Sequence, residues 1–118
     1  MLTRLLAILS LLVCAPALAQ TPAATTNSSA VIATGNTFQS VLAALGAPPA
    51  QRRSLTIENN NATDSCWIFI GATGSAAKGT SILLLPGGSY TRYYPYVPSD
   101  NIAATCATTS DTLYVDSQ

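Results

Sequence analysis

Hydrophobic and polar residues change rhythm several times along this chain. Leu5 to Val13 is an almost unbroken apolar run behind Arg4 and ahead of Ala17-Leu18-Ala19. A positive start, an apolar centre and a small-x-small cleavage site are the layout of a secretory signal, so positions 1–19 are expected to be a signal peptide cleaved after Ala19. The run is about half the roughly 20 residues that cross a bilayer, which makes a retained transmembrane helix the lesser reading. Lipid attachment at Cys14 fits poorly, because Val13 stands where such sites need a small residue. Positions 20–35 are rich in Thr, Ala, Ser and Asn without a sustained apolar period, and are expected to form a flexible leader.

From Asn36 the pattern supports one domain over positions 36–118. Phe38, Val41, Leu42 and Leu45 fall at i, i+3, i+4 and i+7, with Asn36 and Gln39 placed like a capping box and Gly46 like a stop, which reads as one short N-terminal helix. A strand over Phe38 to Ala44 is the competing reading, because a sandwich needs its sheet edges filled. Ala47-Pro48-Pro49 breaks the chain. Beyond it, short β-branched and aromatic runs alternate with turn clusters, and strands are expected at Ser54 to Glu58, Cys66 to Ile70, Ser81 to Leu85, Ser89 to Tyr94, Asn101 to Ala107 and Thr112 to Val115. Pro86-Gly87 suits the centre of a type II turn. The fold class that follows is all-β, a small antiparallel β-sandwich of jelly-roll or immunoglobulin-like size.

Composition narrows the function classes. Hydrophobic residues make up 48% of the 118 positions and charged residues 8%, which excludes a disordered polyelectrolyte. After signal removal Arg52, Arg53, Lys78 and Arg92 face Glu58, Asp64, Asp100, Asp111 and Asp116, and no cluster of cations remains to bind nucleic acid or insert at a membrane. The chain has no histidine, which removes the commonest general base and metal ligand. Asp64, Asp100 and Asp111 sit in expected turns, where aspartate bonds to nearby backbone amides. The Gly71 to Gly79 loop, with Lys78, lacks the spacing of a phosphate-binding loop. No catalytic residue, cofactor site or metal site is predicted, and the protein is expected not to be an enzyme. The sequons Asn27-Ser28-Ser29 and Asn61-Ala62-Thr63 are triplets that arise readily by chance.

Two mature cysteines, Cys66 and Cys106, most simply form one disulfide in an exported protein, worth about 4 kcal/mol on the chain-entropy model. A pair of buried free thiols is the alternative. By alternation Cys66 shares a face with Ile68 and Ile70, while Trp67 and Phe69 point the other way. That second face is either buried in a central strand covered on both sides or an apolar patch for another subunit or protein. Tyr90, Arg92, Tyr94 and Tyr96 are placed on one strand face, a combination suited to a protein interface or a sugar-stacking platform. A half-buried edge strand explains the same residues without a ligand. The partners this reading admits are a protein or a second copy of the chain, with a glycan as the alternative.

The segments Arg52-Arg53-Ser54-Leu55-Thr56-Ile57-Glu58-Asn59-Asn60, Ile68-Phe69-Ile70-Gly71, Leu84-Leu85-Pro86-Gly87-Gly88-Ser89-Tyr90 and Val97-Pro98-Ser99-Asp100-Asn101-Ile102-Ala103-Ala104 together resemble small phage and prophage accessory structural proteins. The shared pattern is an Arg-led strand ending in Asn, a strand ending in Gly, a Leu-x-Pro-Gly-Gly-Ser turn and a closing Val-Pro strand pair, and it covers roughly Thr37 to Val115. The resemblance implies a compact β-sandwich associated with virion structure and brings no catalytic residues. One departure is the export signal, since phage structural proteins are assembled in the cytoplasm. It sets an exported relative, secreted or periplasmic, against a virion component.

Overall fold

The computed structural model describes residues 25–46 and 51–118. The expected signal peptide, the start of the leader and the Ala47-Pro48-Pro49 break lie outside the described residues. Eight strands follow one another: β1 (Thr26–Val31), β2 (Gln39–Leu42), β3 (Ser54–Asn59), β4 (Cys66–Ile70), β5 (Ile82–Leu84), β6 (Ser89–Tyr93), β7 (Ile102–Cys106) and β8 (Thr112–Ser117). They form two antiparallel four-stranded sheets, ordered β1-β8-β3-β6 and β2-β7-β4-β5.

The pairing has a simple rule. β1 pairs with β8, β2 with β7, β3 with β6 and β4 with β5, as in one long hairpin of eight segments. The additional pairs β3 with β8 and β4 with β7 roll that hairpin into two layers. This is jelly-roll connectivity within the small all-β sandwich class, in which consecutive strands alternate between sheets except at β4–β5, the hairpin that stays within one sheet. The strand-forming stretches are those with period-2 alternation: Leu55 and Ile57 on β3, Cys66 and Ile68 on β4, and Leu113 and Val115 on β8 all face inward and are buried. Together with Ile32, Leu84, Tyr90, Ile102, Ala104 and Cys106 they make one core between the sheets.

Two expectations about the first part of the domain are corrected. The leader does not extend to position 35, because β1 falls inside it and pairs along its length with β8. Ser28 and Ala30 stand opposite the inward-facing Val115 and Leu113, so its inward row is small and carries no apolar period. Ile32 follows it and is fully buried. Of the two readings of Phe38 to Ala44, the strand holds and the short N-terminal helix does not: Gln39–Leu42 is strand β2. A register shift between Ser40 and Leu42 marks a bulge, and it brings the consecutive Val41 and Leu42 both against the core. Two adjacent inward residues mimic helical spacing, which is why the pattern misleads. The Gln39 side chain fastens the strand, donating to the Val31 carbonyl at 2.6 Å and accepting from the Ala33 amide at 2.9 Å.

β4 falls on its expected residues, the other strands from β3 onward differ from expectation by a residue or two at their ends, and Leu85 to Gly88 is a turn closed by the Gly88 amide on the Leu85 carbonyl at 2.7 Å. Gly87 takes φ +71° there, the conformation the type II turn demands of its third residue. Cys66 and Cys106 are disulfide-bonded and stand directly opposite one another in the β4–β7 ladder, with both residues fully buried.

Ile32→Ala tests the place of the N-terminal segment. It is expected to lower the unfolding free energy by about 2–4 kcal/mol, read from a shifted urea midpoint; a change below about 0.5 kcal/mol would return the segment to a leader.

Candidate interaction surface

The site begins at the two ends of β3, each closed by a buried polar side chain. At one end Arg52 is 4% exposed. Its Nη1 donates to the Pro98 carbonyl at 2.6 Å and the Asp100 carbonyl at 3.1 Å, and its Nη2 to the Ala43 carbonyl, so one guanidinium ties the β2–β3 connection to the β6–β7 connection. Burial lowers its pKa below the usual arginine value and the Asp100 charge opposes the shift, but an arginine remains a cation throughout. At the other end Asn59, fully buried, continues the inward row of Leu55 and Ile57. Its Nδ2 donates to the carbonyls of Asp64 and Leu84, at 2.8 and 3.0 Å, and its Oδ1 accepts from the Asn61 amide and side chain. Asn61 in turn donates to the Asn59 Oδ1, the Thr112 carbonyl and the Cys66 sulfur, and accepts from the Thr112 amide. The second sequon is thus built into the end of the sandwich.

With its ends fixed this way, the sandwich has two flanks of sheet edges. β1 and β2 are the edges on one, and β5 and β6 those on the other, where the Leu85–Gly88 turn joins them. Six of the seven large apolar or aromatic side chains exposed among the described residues lie on or directly after these two strands: Ile82, Leu83, Leu85, Tyr93, Tyr94 and Tyr96, Val31 being the seventh. Only one charge, Arg92, occurs between positions 82 and 96. Monomeric sandwiches commonly blunt such edges with charges, which this flank largely lacks.

The expected tyrosine platform is rearranged. Tyr90 is 8% exposed and belongs to the core, so it is not a surface residue. Arg92, two residues on and on the same side, places its guanidinium carbon 4.5 Å from the Tyr90 ring centroid. Tyr94 and Tyr96 do not continue that row, because β6 ends at Tyr93 and the chain turns through a cis Tyr94–Pro95 peptide, with the Tyr96 amide donating to the Tyr93 carbonyl at 3.0 Å. Tyr93, Tyr94 and Tyr96 are the exposed aromatics, at 69%, 63% and 81%. Tyr93 points to the opposite face from Tyr90 and has no place in the expected set; alternation along β6 finds it once the inward row is known.

Trp67 and Phe69 do share the outward face of β4, and both are half-buried. The strand covered on both sides is its neighbour β7, in which all five residues are buried. Phe69 packs against Gly71, where a Cβ would come within 3.0 Å of its ring, and Lys78 Nζ lies 3.9 Å above the Trp67 centroid.

No protein family, no curated protein and no solved structure matches this chain. The surface is therefore read from its own chemistry. Cys66, Cys106 and Asp111 bring two sulfurs and a carboxylate within 4.8 Å of one another, but the disulfide occupies both sulfurs and leaves one ligand. Among the described residues no helix is long and apolar enough to cross a membrane.

Three substitutions separate the clamps and core from the surface. Arg52→Met leaves the carbonyls of Ala43, Pro98 and Asp100 without their charged donor and is expected to cost about 2–4 kcal/mol. Tyr90→Ala should cost about 3 kcal/mol as a core truncation. Tyr96→Ala should change stability by less than about 0.5 kcal/mol. Urea unfolding of the disulfide-bonded protein measures all three, and an equal effect of the two tyrosine changes would contradict their assignment to core and surface.

Proposed function

We propose that the protein is a non-enzymatic, exported interaction and assembly module that docks on protein, a second copy of itself included, through the β5–β6 flank. The single observation that carries this reading is the concentration of exposed Ile82, Leu83, Leu85, Tyr93, Tyr94 and Tyr96 beside the open edges of both sheets. Large apolar patches beside unpaired strand edges are where sheets accept partners. Jelly rolls serve in viral capsids and in lectins, so the fold fits a phage-type accessory protein without deciding for it. Export rests on the signal-like sequence ahead of the domain, and the Cys66–Cys106 disulfide is compatible with it. A second reading, a secreted carbohydrate-binding module, is favoured by the exposed Tyr93, Tyr94 and Tyr96, since aromatic faces stack on sugar rings.

Light scattering after size exclusion, over a dilution series of the disulfide-bonded protein, tests the proposal. Concentration-dependent association is expected, and the double change Leu83→Lys with Leu85→Lys should weaken it at least about tenfold, or about 1.4 kcal/mol. A monomer at every concentration that binds a glycan array, with binding lost in Tyr94→Ala and Tyr96→Ala, would replace the assembly reading with the carbohydrate one.

A further inference from the structure

The β4–β5 connection does more than link two strands. It leaves β4 at Gly71, on the end of the sandwich where Asn101 and Arg52 organise the loops: the Gly71 amide donates to the Asn101 carbonyl at 2.7 Å, and Asn101 Nδ2 donates back to the Gly71 carbonyl at 3.0 Å. The segment then makes two 3-10 turns, Thr73–Ser75 and Lys78–Thr80. Lys78 does not remain at that end. Its ammonium lies over Trp67, next to Cys66 at the start of β4, and donates at 2.5 Å to Oδ1 of Asn36 in the β1–β2 connection.

Asn36 belongs to the opposite end of the sandwich. Its amide donates to the Cys106 carbonyl at 2.8 Å and its Nδ2 to the Ala107 carbonyl at 3.0 Å, beside the β7–β8 turn. The chain from 71 to 78 therefore runs along the outer face of the β2-β7-β4-β5 sheet from one end to the other. Beneath it Thr105 and Ala103, which stand opposite Trp67 and Phe69 in the ladder, are fully buried although they face away from the core. An outer sheet face as apolar as this needs cover.

We propose that residues 71–81 form a latched strap over this face, with Lys78 as the latch and Asn36 as its keeper. Removal of the positive charge on Lys78 releases the strap and exposes Trp67. The ammonium serves both contacts at once, since the ring attracts a cation and the Asn36 oxygen accepts one of its protons. Acetylation removes the charge that the ring attracts and leaves a single amide N–H on a bulkier side chain, and methionine keeps neither contact. Lys78 is itself exposed, so amine-directed chemistry reaches it in the folded protein. The inference concerns a face other than the β5–β6 flank and stands independently of the assembly reading.

Lys78 is the only lysine and Trp67 the only tryptophan, so a charge change at one is read by the fluorescence of the other. Acetylating the folded full chain removes the Lys78 charge and reductive methylation keeps it; the same reagents on Lys78→Met show what either does at the terminal amine alone. Acetylation is expected to shift Trp67 emission to the red and raise its acrylamide quenching severalfold, with the β-sheet circular dichroism unchanged. Methylation should leave both fluorescence readings near those of the untreated protein. Lys78→Met and Asn36→Gly should behave like acetylation, glycine preserving the positive φ of +59° found at Asn36. Quenching that is unchanged by acetylation, or raised equally by acetylation and methylation, would overturn the latch, and because these arms begin from folded protein they hold even if a substitution prevents folding.

Discussion

A two-layer sandwich this small buries its sheet interior easily and its ends with difficulty, because each end is a ring of loop carbonyls turned toward a dry core. An unpaired buried carbonyl costs as much as a lost hydrogen bond, so donors must be supplied from within. β3 meets that need at both of its ends. Arg52 reaches three carbonyls from two connections, and Asn59 reaches two carbonyls while its own oxygen orders Asn61. β3 is an interior strand, held between β8 and β6, so both clamps act on a strand that is paired on both sides in its sheet. The loops they tie are the ones that carry Tyr94 and Tyr96 at one end and the disulfide strand β4 at the other.

These clamps change the meaning of the pattern that resembles phage accessory proteins. The Arg-led strand ending in Asn is bracketed by two polar residues, Arg52 and Asn59, and in the fold both are buried. A chain with eight strands in a closed double layer has reason to keep such residues whatever it binds. The two bracket residues therefore have a reason in the folding of this chain, and the side chains left exposed are ones the clamps do not use.

Strand positions were legible from β3 onward because alternation is a local property: Leu55-x-Ile57 and Leu113-x-Val115 announce an inward row. β1 was not legible, since Ser28 and Ala30 fill its inward row with small side chains, and β2 was ambiguous, since a bulge places Val41 and Leu42 side by side. The disulfide was legible from the count of cysteines, though its place in a directly opposed cross-strand pair required the β4–β7 register. The tyrosine face failed for a different reason. Alternation holds only while the strand continues, and the turn after Tyr93 ends it before Tyr94. Arg52 carries no periodic signal at all, because its role is set by three carbonyls distant in sequence.

Two apolar surfaces remain outside the core, and the fold treats them differently. The outer face around Trp67 is crossed by a segment of small residues whose one long side chain spans the tryptophan, whereas the β5–β6 flank is left bare. Covering a sheet face needs only a loop that lies flat on it; covering an edge needs a strand, a helix or a charge, because an edge also presents unpaired backbone donors and acceptors. The 71–81 loop contains no strand to supply, and the flank has only Arg92, which is turned toward Tyr90. Leu83 stands opposite Trp67 in the β4–β5 ladder and is half-exposed, so the covered face and the open flank meet at that residue. A partner strand added to β5 would complete the ladder and cover Leu83 together, meeting the backbone and apolar requirements of the edge in one step that no loop among the described residues performs.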